Sequence, residues 1–193
     1  MKKVVFLGLG YIGLPTAAVA AGHGYEVVGV DVNPSVVETI NQGKIHIVEP
    51  ELDQIVKEVV RTGNLRAVSK PEQADAFFVV VPTPFKQNHR ADITYVESAT
   101  RSVIPYLREG NLFVIESTSP VFTTERMAEV IYKERPELKD KIYIAYCPER
   151  VLPGNTLYEL VHNDRVIGGV NPESTAKAIE FYSCLLYTSP SPR

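Results

Sequence analysis

Gly8-Leu9-Gly10-Tyr11-Ile12-Gly13 follows the apolar run Val4-Val5-Phe6-Leu7, and Asp31 lies 18 residues beyond Gly13. This combination of residue types and spacing suits capture of a dinucleotide. Gly8 allows a tight strand-to-helix turn. Gly10 lets the backbone approach a pyrophosphate with no Cβ in the way, and Gly13 lets the next helix pack close to the strand. The N-terminus of that helix offers unpaired N–H groups and a partial positive charge to phosphate oxygens. Asp31 can accept hydrogen bonds from a ribose diol. Val32 and Asn33 follow it, with no arginine to meet a 2′-phosphate, so the residues predict NAD rather than NADP. The competing readings are a nucleotide-free glycine turn and an Asp31 that only caps the next helix, a role Asn33 already fills.

Other polar clusters could serve the same ligand or a second one. Thr83, between Pro82 and Pro84, is held in an extended turn; alone it reads as a turn residue. Thr118 and Thr124 bracket the turn Ser117-Thr118-Ser119-Pro120-Val121-Phe122-Thr123-Thr124. Hydroxyls and N–H groups there could meet the nicotinamide end of a cofactor or a substrate, and N-capping explains Thr124 equally well. In Glu149-Arg150 a guanidinium could fork onto a phosphate or carboxylate, with a surface salt bridge as the equal alternative. Cys147 has no histidine near it in sequence and reads as packing rather than as a nucleophile. Lys86, His89 and Arg90 read as a solvated loop, and His46 and Glu49 are too isolated for a metal site.

These residues need a scaffold, and the pattern supplies one. After the glycine turn come a helix (Leu14 to Ala21), a strand (Glu26 to Val30), a helix opened by Asn33-Pro34, and an amphipathic helix carrying Leu52, Ile55, Val56 and Val59 on one face. Strands follow at 65–68, 76–81, 112–115, 142–146 and 165–168. Helices are expected from Asp92 or Thr94 to Leu107, from Thr124 to Arg135, and from Asn171-Pro172 through Phe181. Alternating near-continuous apolar strands and helices predict an α/β, Rossmann-type doubly wound parallel sheet with helices on both faces. Each polar cluster falls just past the C-terminal end of a strand, the edge where such sheets bind ligands.

Composition narrows the classes. The 193 residues are 45% hydrophobic, enough for one sizeable domain, or one domain and the start of another. A net charge of −3 gives no basic footprint for nucleic acid. Two cysteines fit a reducing compartment, and the N-terminal apolar run is too short for a signal peptide or membrane span. A cytoplasmic location is expected, with no membrane partner.

Five segments resemble the UDP-glucose/GDP-mannose dehydrogenase family: Gly8 to Thr16, His46 to Pro50, Val81 to Phe85, Glu116 to Pro120, and Tyr146 to Gly154, supported by Asn163-Asp164-Arg165-Val166-Ile167-Gly168-Gly169. The resemblance spans about residues 3–182. It implies oxidation of a sugar-nucleotide C6 alcohol to a carboxylate with two NAD⁺, acting on a UDP-sugar, in an enzyme that is a homo-oligomer when complete. It also implies NAD contacts at Tyr11, Ile12, Asp31, Thr83 and Thr124, substrate contacts at Arg150 and Val151, and places near the reacting centre for Thr118 and Glu149. One departure is Phe122, near which relatives usually carry glycine.

The family's lysine, asparagine and nucleophilic cysteine lie on later segments, and neither Cys147 nor Cys184 matches that cysteine's place. A thiol is needed there to trap the aldehyde before the second oxidation. Residues 1–183 are therefore expected to be the N-terminal NAD-binding part, inactive alone. The last ten residues, Cys184 to Arg193, resemble no part of the family and can be encoded by a transposon-derived sequencing-library adapter. They are expected to be a non-native tail.

Overall fold

The protein is described by a computed structural model that covers residues 1–86 and 90–185. His89 and residues 186–193 of the expected tail therefore lie outside the described residues. Seven strands form one sheet: β1 (Lys3–Leu7), β2 (Glu26–Val30), β3 (Leu65–Val68), β4 (Ala76–Val79), β5 (Leu112–Ile115), β6 (Tyr143–Tyr146) and β7 (Gly168–Gly169). Their order is β3-β2-β1-β4-β5-β6-β7. The first six run parallel, with Val5 opposite both Val28 and Phe77, and β7 is antiparallel to β6. The order reverses between β1 and β4, which opens a crevice at that point. The doubly wound sheet is as expected, apart from this last antiparallel strand.

Side-chain alternation along the strands divides the core in two. Val4, Phe6, Phe78 and Val114 face α1 (Gly13–Gly22), α2 (Pro34–Asn41), α3 (Leu52–Arg61) and α7 (Pro172–Ser183). Val5, Leu7, Phe77, Phe113 and Ile115 face α4 (Thr94–Val103) and α5 (Thr123–Glu134). Phe78 stacks on Phe6 at 4.7 Å between ring centroids and meets Phe181 of α7 at 4.4 Å. Full burial of one such ring stabilises by about 1.5–3 kcal/mol. Leu185 packs into the same cluster, just past α7.

Caps follow the sequence closely. Asn33 accepts a hydrogen bond from the Ser35 N–H with Pro34 at the first helical position, and Asn171 does the same for Ser174 with Pro172. At α4 the expectation of Asp92 or Thr94 as the cap is corrected: the N-cap residue is Ile93, and the Asp92 Oδ1 accepts from the Thr94 N–H at 2.9 Å one residue outside it. Among the described residues, no helix is long and apolar enough to cross a membrane.

Two expected strands need correction, and one helix was not expected at all. The run expected as a strand to Val81 leaves the ladder at Val79, because the Val81 N–H turns to the Ser117 hydroxyl at 2.9 Å. The strand expected over 165–168 is reduced to Gly168–Gly169, because the Arg165 side chain turns into the protein interior. A helix absent from the sequence reading, α6 (Thr156–His162), follows the Arg150–Gly154 loop.

Candidate functional site

The glycine turn shows why each glycine stands where it does. Gly8 has φ +95°, and a Cβ there would lie 2.4 Å from the Val80 carbonyl oxygen. A Cβ on Gly13 would lie 1.9 Å from the Gly8 carbonyl oxygen, so the glycine is needed inside the turn itself. Gly10 differs, since a Cβ there would meet no protein atom within 4 Å. Its surface opens outward, as a cradle for a close-approaching ligand requires. Among the described residues no side chain caps α1, and no acidic residue lies in its first turn. The Leu14 N–H is taken by the Gly10 carbonyl at 3.1 Å and Pro15 has no N–H, so what this end offers an anion is the positive end of the helix dipole and the Gly13 N–H. Tyr11 is exposed beside the turn, and Ile12 is half-buried at the head of the helix.

Asp31 ends β2 and is tied to that turn. Its Oδ2 accepts from the Leu9 N–H at 3.1 Å and its Oδ1 from the Asn33 N–H at 2.9 Å. Each oxygen keeps a lone pair for a further donor. The carboxylate is thus fixed beside the glycine turn with acceptor capacity to spare, while Asn33 caps α2 as expected.

Across the crevice, the loops after β4 and β5 are stitched to each other and to the end of β6. The Thr83 hydroxyl donates to the Thr118 carbonyl at 2.7 Å. The Ser117 hydroxyl donates to the Val81 carbonyl at 2.7 Å while accepting the Val81 N–H. The Ser119 N–H donates to the Tyr146 hydroxyl at 3.2 Å. Thr83 and Thr118 are therefore neighbours on the rim, 35 residues apart in sequence. Thr124 is buried in the first turn of α5, where Phe122, not Thr124, is the N-cap residue. Phe122 holds φ +68° with its side chain 74% exposed, so this turn places a bulky residue in the left-handed region.

Glu149 and Arg150 do not pair with each other through their side chains. Glu149 Oε2 accepts from Arg165 Nη1 at 2.7 Å, with the two side chains only 7% and 6% exposed. Glu149 Oε1 accepts the Arg150 N–H at 3.0 Å. Arg150 itself is exposed and Val151 half-buried. Of the two readings weighed for this dipeptide, the surface salt bridge is not formed: Glu149 makes a buried pair with a residue 16 positions away.

Behind this pair lies a polar cluster that sequence reading missed. Arg165 stands 4.8 Å from the Tyr182 ring centroid, and the Tyr182 hydroxyl donates to Glu116 Oε1. Burial raises the Glu116 pKa to about 7, against the opposing pull of Arg165 and of the Tyr182 hydrogen bond. Burial, reinforced by Glu116, pushes the Cys147 thiol up to about 12. Such a thiol is a poor nucleophile. Glu49, also buried, accepts from the Gly154 N–H at 2.8 Å and the Thr156 N–H at 2.6 Å, so it caps α6 from more than 100 residues away. Only the motif membership of Glu49, Glu116 and Arg165 marked them in sequence; their partners are all distant.

A doubly wound sheet with a glycine turn, an acid on the second strand and a crevice at the order reversal defines a dinucleotide-binding domain. The chain belongs to the UDP-glucose/GDP-mannose dehydrogenase family: residues 2–186 match its NAD binding domain. It is 54% identical to a UDP-N-acetyl-D-mannosamine dehydrogenase of Yersinia pestis, over 96% of this chain and 46% of that protein. It is 50% identical to an NDP-N-acetyl-D-galactosaminuronic acid dehydrogenase of Ralstonia nicotianae, over 94% of this chain and 45% of the relative. The structure matches that of the UDP-N-acetyl-mannosamine dehydrogenase Cap5O from Staphylococcus aureus, with a TM-score of 0.92, 39% identity, and coverage of 96% of this chain and 46% of the other. The chain thus spans about half the length of the relatives it matches. Its cofactor is NAD, and the open face at Gly10, the uncapped α1 and the braced Asp31 fit that group.

Proposed function

We propose that this domain is the NAD-binding half of a UDP-N-acetyl-D-mannosamine 6-dehydrogenase, which oxidises the sugar C6 alcohol to a carboxylate with two NAD⁺ for bacterial surface polysaccharide. NAD supplies the hydride acceptor when bound. The roles assigned to the chain's residues are these. Gly8, Gly10 and Gly13 shape the pyrophosphate cradle, with Tyr11 and Ile12 beside it. Asp31 holds the adenosine ribose, while Thr83, paired with Thr118, and Thr124 border the nicotinamide side. Thr118 and Glu149 stand near the reacting centre, and Arg150 and Val151 contact the sugar nucleotide. The protein works in the cytoplasm, as a homo-oligomer when complete.

The observation that carries this reading is the free Arg150 guanidinium. Among the described residues it has no hydrogen-bond or ion-pair partner, and it stands on the rim that carries Asp31 and the Thr83–Thr118 pair. An unpaired guanidinium on the same sheet edge as a dinucleotide cradle suits a second phosphate-bearing ligand. The similarity to the Ralstonia protein supports a second reading, in which another N-acetylated sugar nucleotide is the substrate.

Calorimetric titration of the 193-residue chain with UDP-N-acetylmannosamine, UDP-N-acetylgalactosamine and UDP-glucose tests the proposal. The mannosamine nucleotide should bind most tightly, Arg150→Ala should weaken it by about tenfold or more while sparing NAD, and no NADH should form with the chain alone. Preference for another sugar would favour the second reading. Steady NADH production would restore Cys147 as a nucleophile.

A further inference from the structure

Although the Arg150 side chain is free, its backbone is held on both sides. Its N–H donates to Glu149 Oε1 at 3.0 Å, and its carbonyl accepts from Asn163 Nδ2 at 3.4 Å. Glu149 is in turn held by Arg165 through Oε2 at 2.7 Å. Arg165 has its own anchors: Nη2 donates to the Leu160 carbonyl at 3.1 Å, and Tyr182 lies against the guanidinium. Tyr182 is fastened to Glu116 at the end of β5. A continuous set of contacts therefore runs from the sheet, through α7 and the segment 163–165, to the peptide groups that carry Arg150.

We propose that Asn163 and Arg165 form a positioning strap that fixes the Arg150 backbone, so that the free guanidinium is presented to the diphosphate of the sugar nucleotide without an ordering cost on binding. The inference rests on reading Arg150 as a substrate contact. A flexible backbone would have to be ordered when the ligand binds, and that loss would be subtracted from affinity. Arg165 suits the task because one planar fork reaches Glu149 and the Leu160 carbonyl together. A lysine is a single point charge and cannot span both. The strap touches neither the cradle at Gly8–Gly13 nor Asp31, so it acts on the sugar-nucleotide side alone.

A double-mutant cycle on the 193-residue chain, with UDP-N-acetylmannosamine and NAD⁺ as probes, tests this. Arg165→Lys should weaken sugar-nucleotide binding by about tenfold while leaving the NAD affinity within about twofold. Asn163→Ala should weaken it by about threefold. In a Glu149→Gln background, Arg165→Lys should add less than about twofold, because the two act through one contact. Additive losses, equal losses for both ligands, or unchanged affinity in both strap variants would overturn the inference. Should Arg165→Lys fail to fold, Asn163→Ala decides, since the side chain is half-exposed; Glu159→Gln, which alters the other partner of Asn163 without touching the Arg150 carbonyl, should leave sugar-nucleotide affinity within about twofold. Sugar-nucleotide binding that is absent in the unsubstituted chain, or unaffected by Arg150→Ala, would instead contradict the substrate reading on which the strap depends.

Discussion

Phe122 holds the left-handed conformation, φ +68°, at the turn that leads from β5 into α5. That region costs an L-residue roughly 1–2 kcal/mol, and a ring 74% exposed recovers little of it by burial. Phe122→Gly should therefore stabilise the fold by about 1 kcal/mol, after allowance for the glycine's extra freedom in the unfolded chain. A thermal melt should shift upward by roughly 2–4 °C; a downward shift would mean that the ring's contacts outweigh the strain. The sequence singles this position out only through a resemblance, and the left-handed backbone there becomes visible only in the structure. Asp31 and the three glycines were legible because their requirements are local: a turn, a close approach, an acid at the next strand end. Arg165 and Glu49 were not. Each has meaning only through partners distant in the chain, Glu149 for one and the head of α6 for the other.

At the level of elements, β5 and α7 are joined by a hydrogen bond from Tyr182 to a Glu116 side chain whose other oxygen, Oε2, has no partner among the described residues. Burial raises the Glu116 pKa from 4.5 to about 7. The folded state therefore keeps a proton here that the unfolded chain releases between those values. The associated stability is fully present below about pH 4.5 and is lost as pH rises through about 7. A shift of this size corresponds to about 3 kcal/mol. Glu116→Gln copies the protonated acid, so the gap between variant and parent stability, read by urea unfolding, should widen in the variant's favour from pH 5 to 8. A constant gap would show that Glu116 does not titrate in this range. The elements themselves were largely readable from strand apolarity and from the Asn-Pro helix starts. α6 was missed because it is only seven residues long and its start is held by the remote Glu49 carboxylate. The strand expected over 165–168 failed because Arg165 serves the buried cluster instead of a ladder.

For the molecule as a whole, strand order reverses beside the glycine turn, and the loops on the far side are locked by Ser117, Thr83 and Tyr146. The rim is therefore largely formed before any ligand arrives, which favours affinity through reduced ordering cost. Alternation of strands and helices made the parallel sheet legible, and the position of each polar cluster after a strand made the rim legible. The stitching between loops could not be read, because a serine or threonine hydroxyl gives no sign in sequence of which distant carbonyl it meets.

Calorimetric titration of the 193-residue chain and its Asp31→Ala variant tests most directly whether this rim binds NAD through Asp31. The parent should bind NAD⁺ saturably with one site and prefer it to NADP⁺, whose extra phosphate would face the Asp31 carboxylate. Asp31→Ala should lose about 1.5–3 kcal/mol, the worth of a hydrogen bond to a charged group, or roughly tenfold or more in affinity. An NAD⁺ affinity unchanged in Asp31→Ala, or equal affinity of the parent for NADP⁺, would contradict the account.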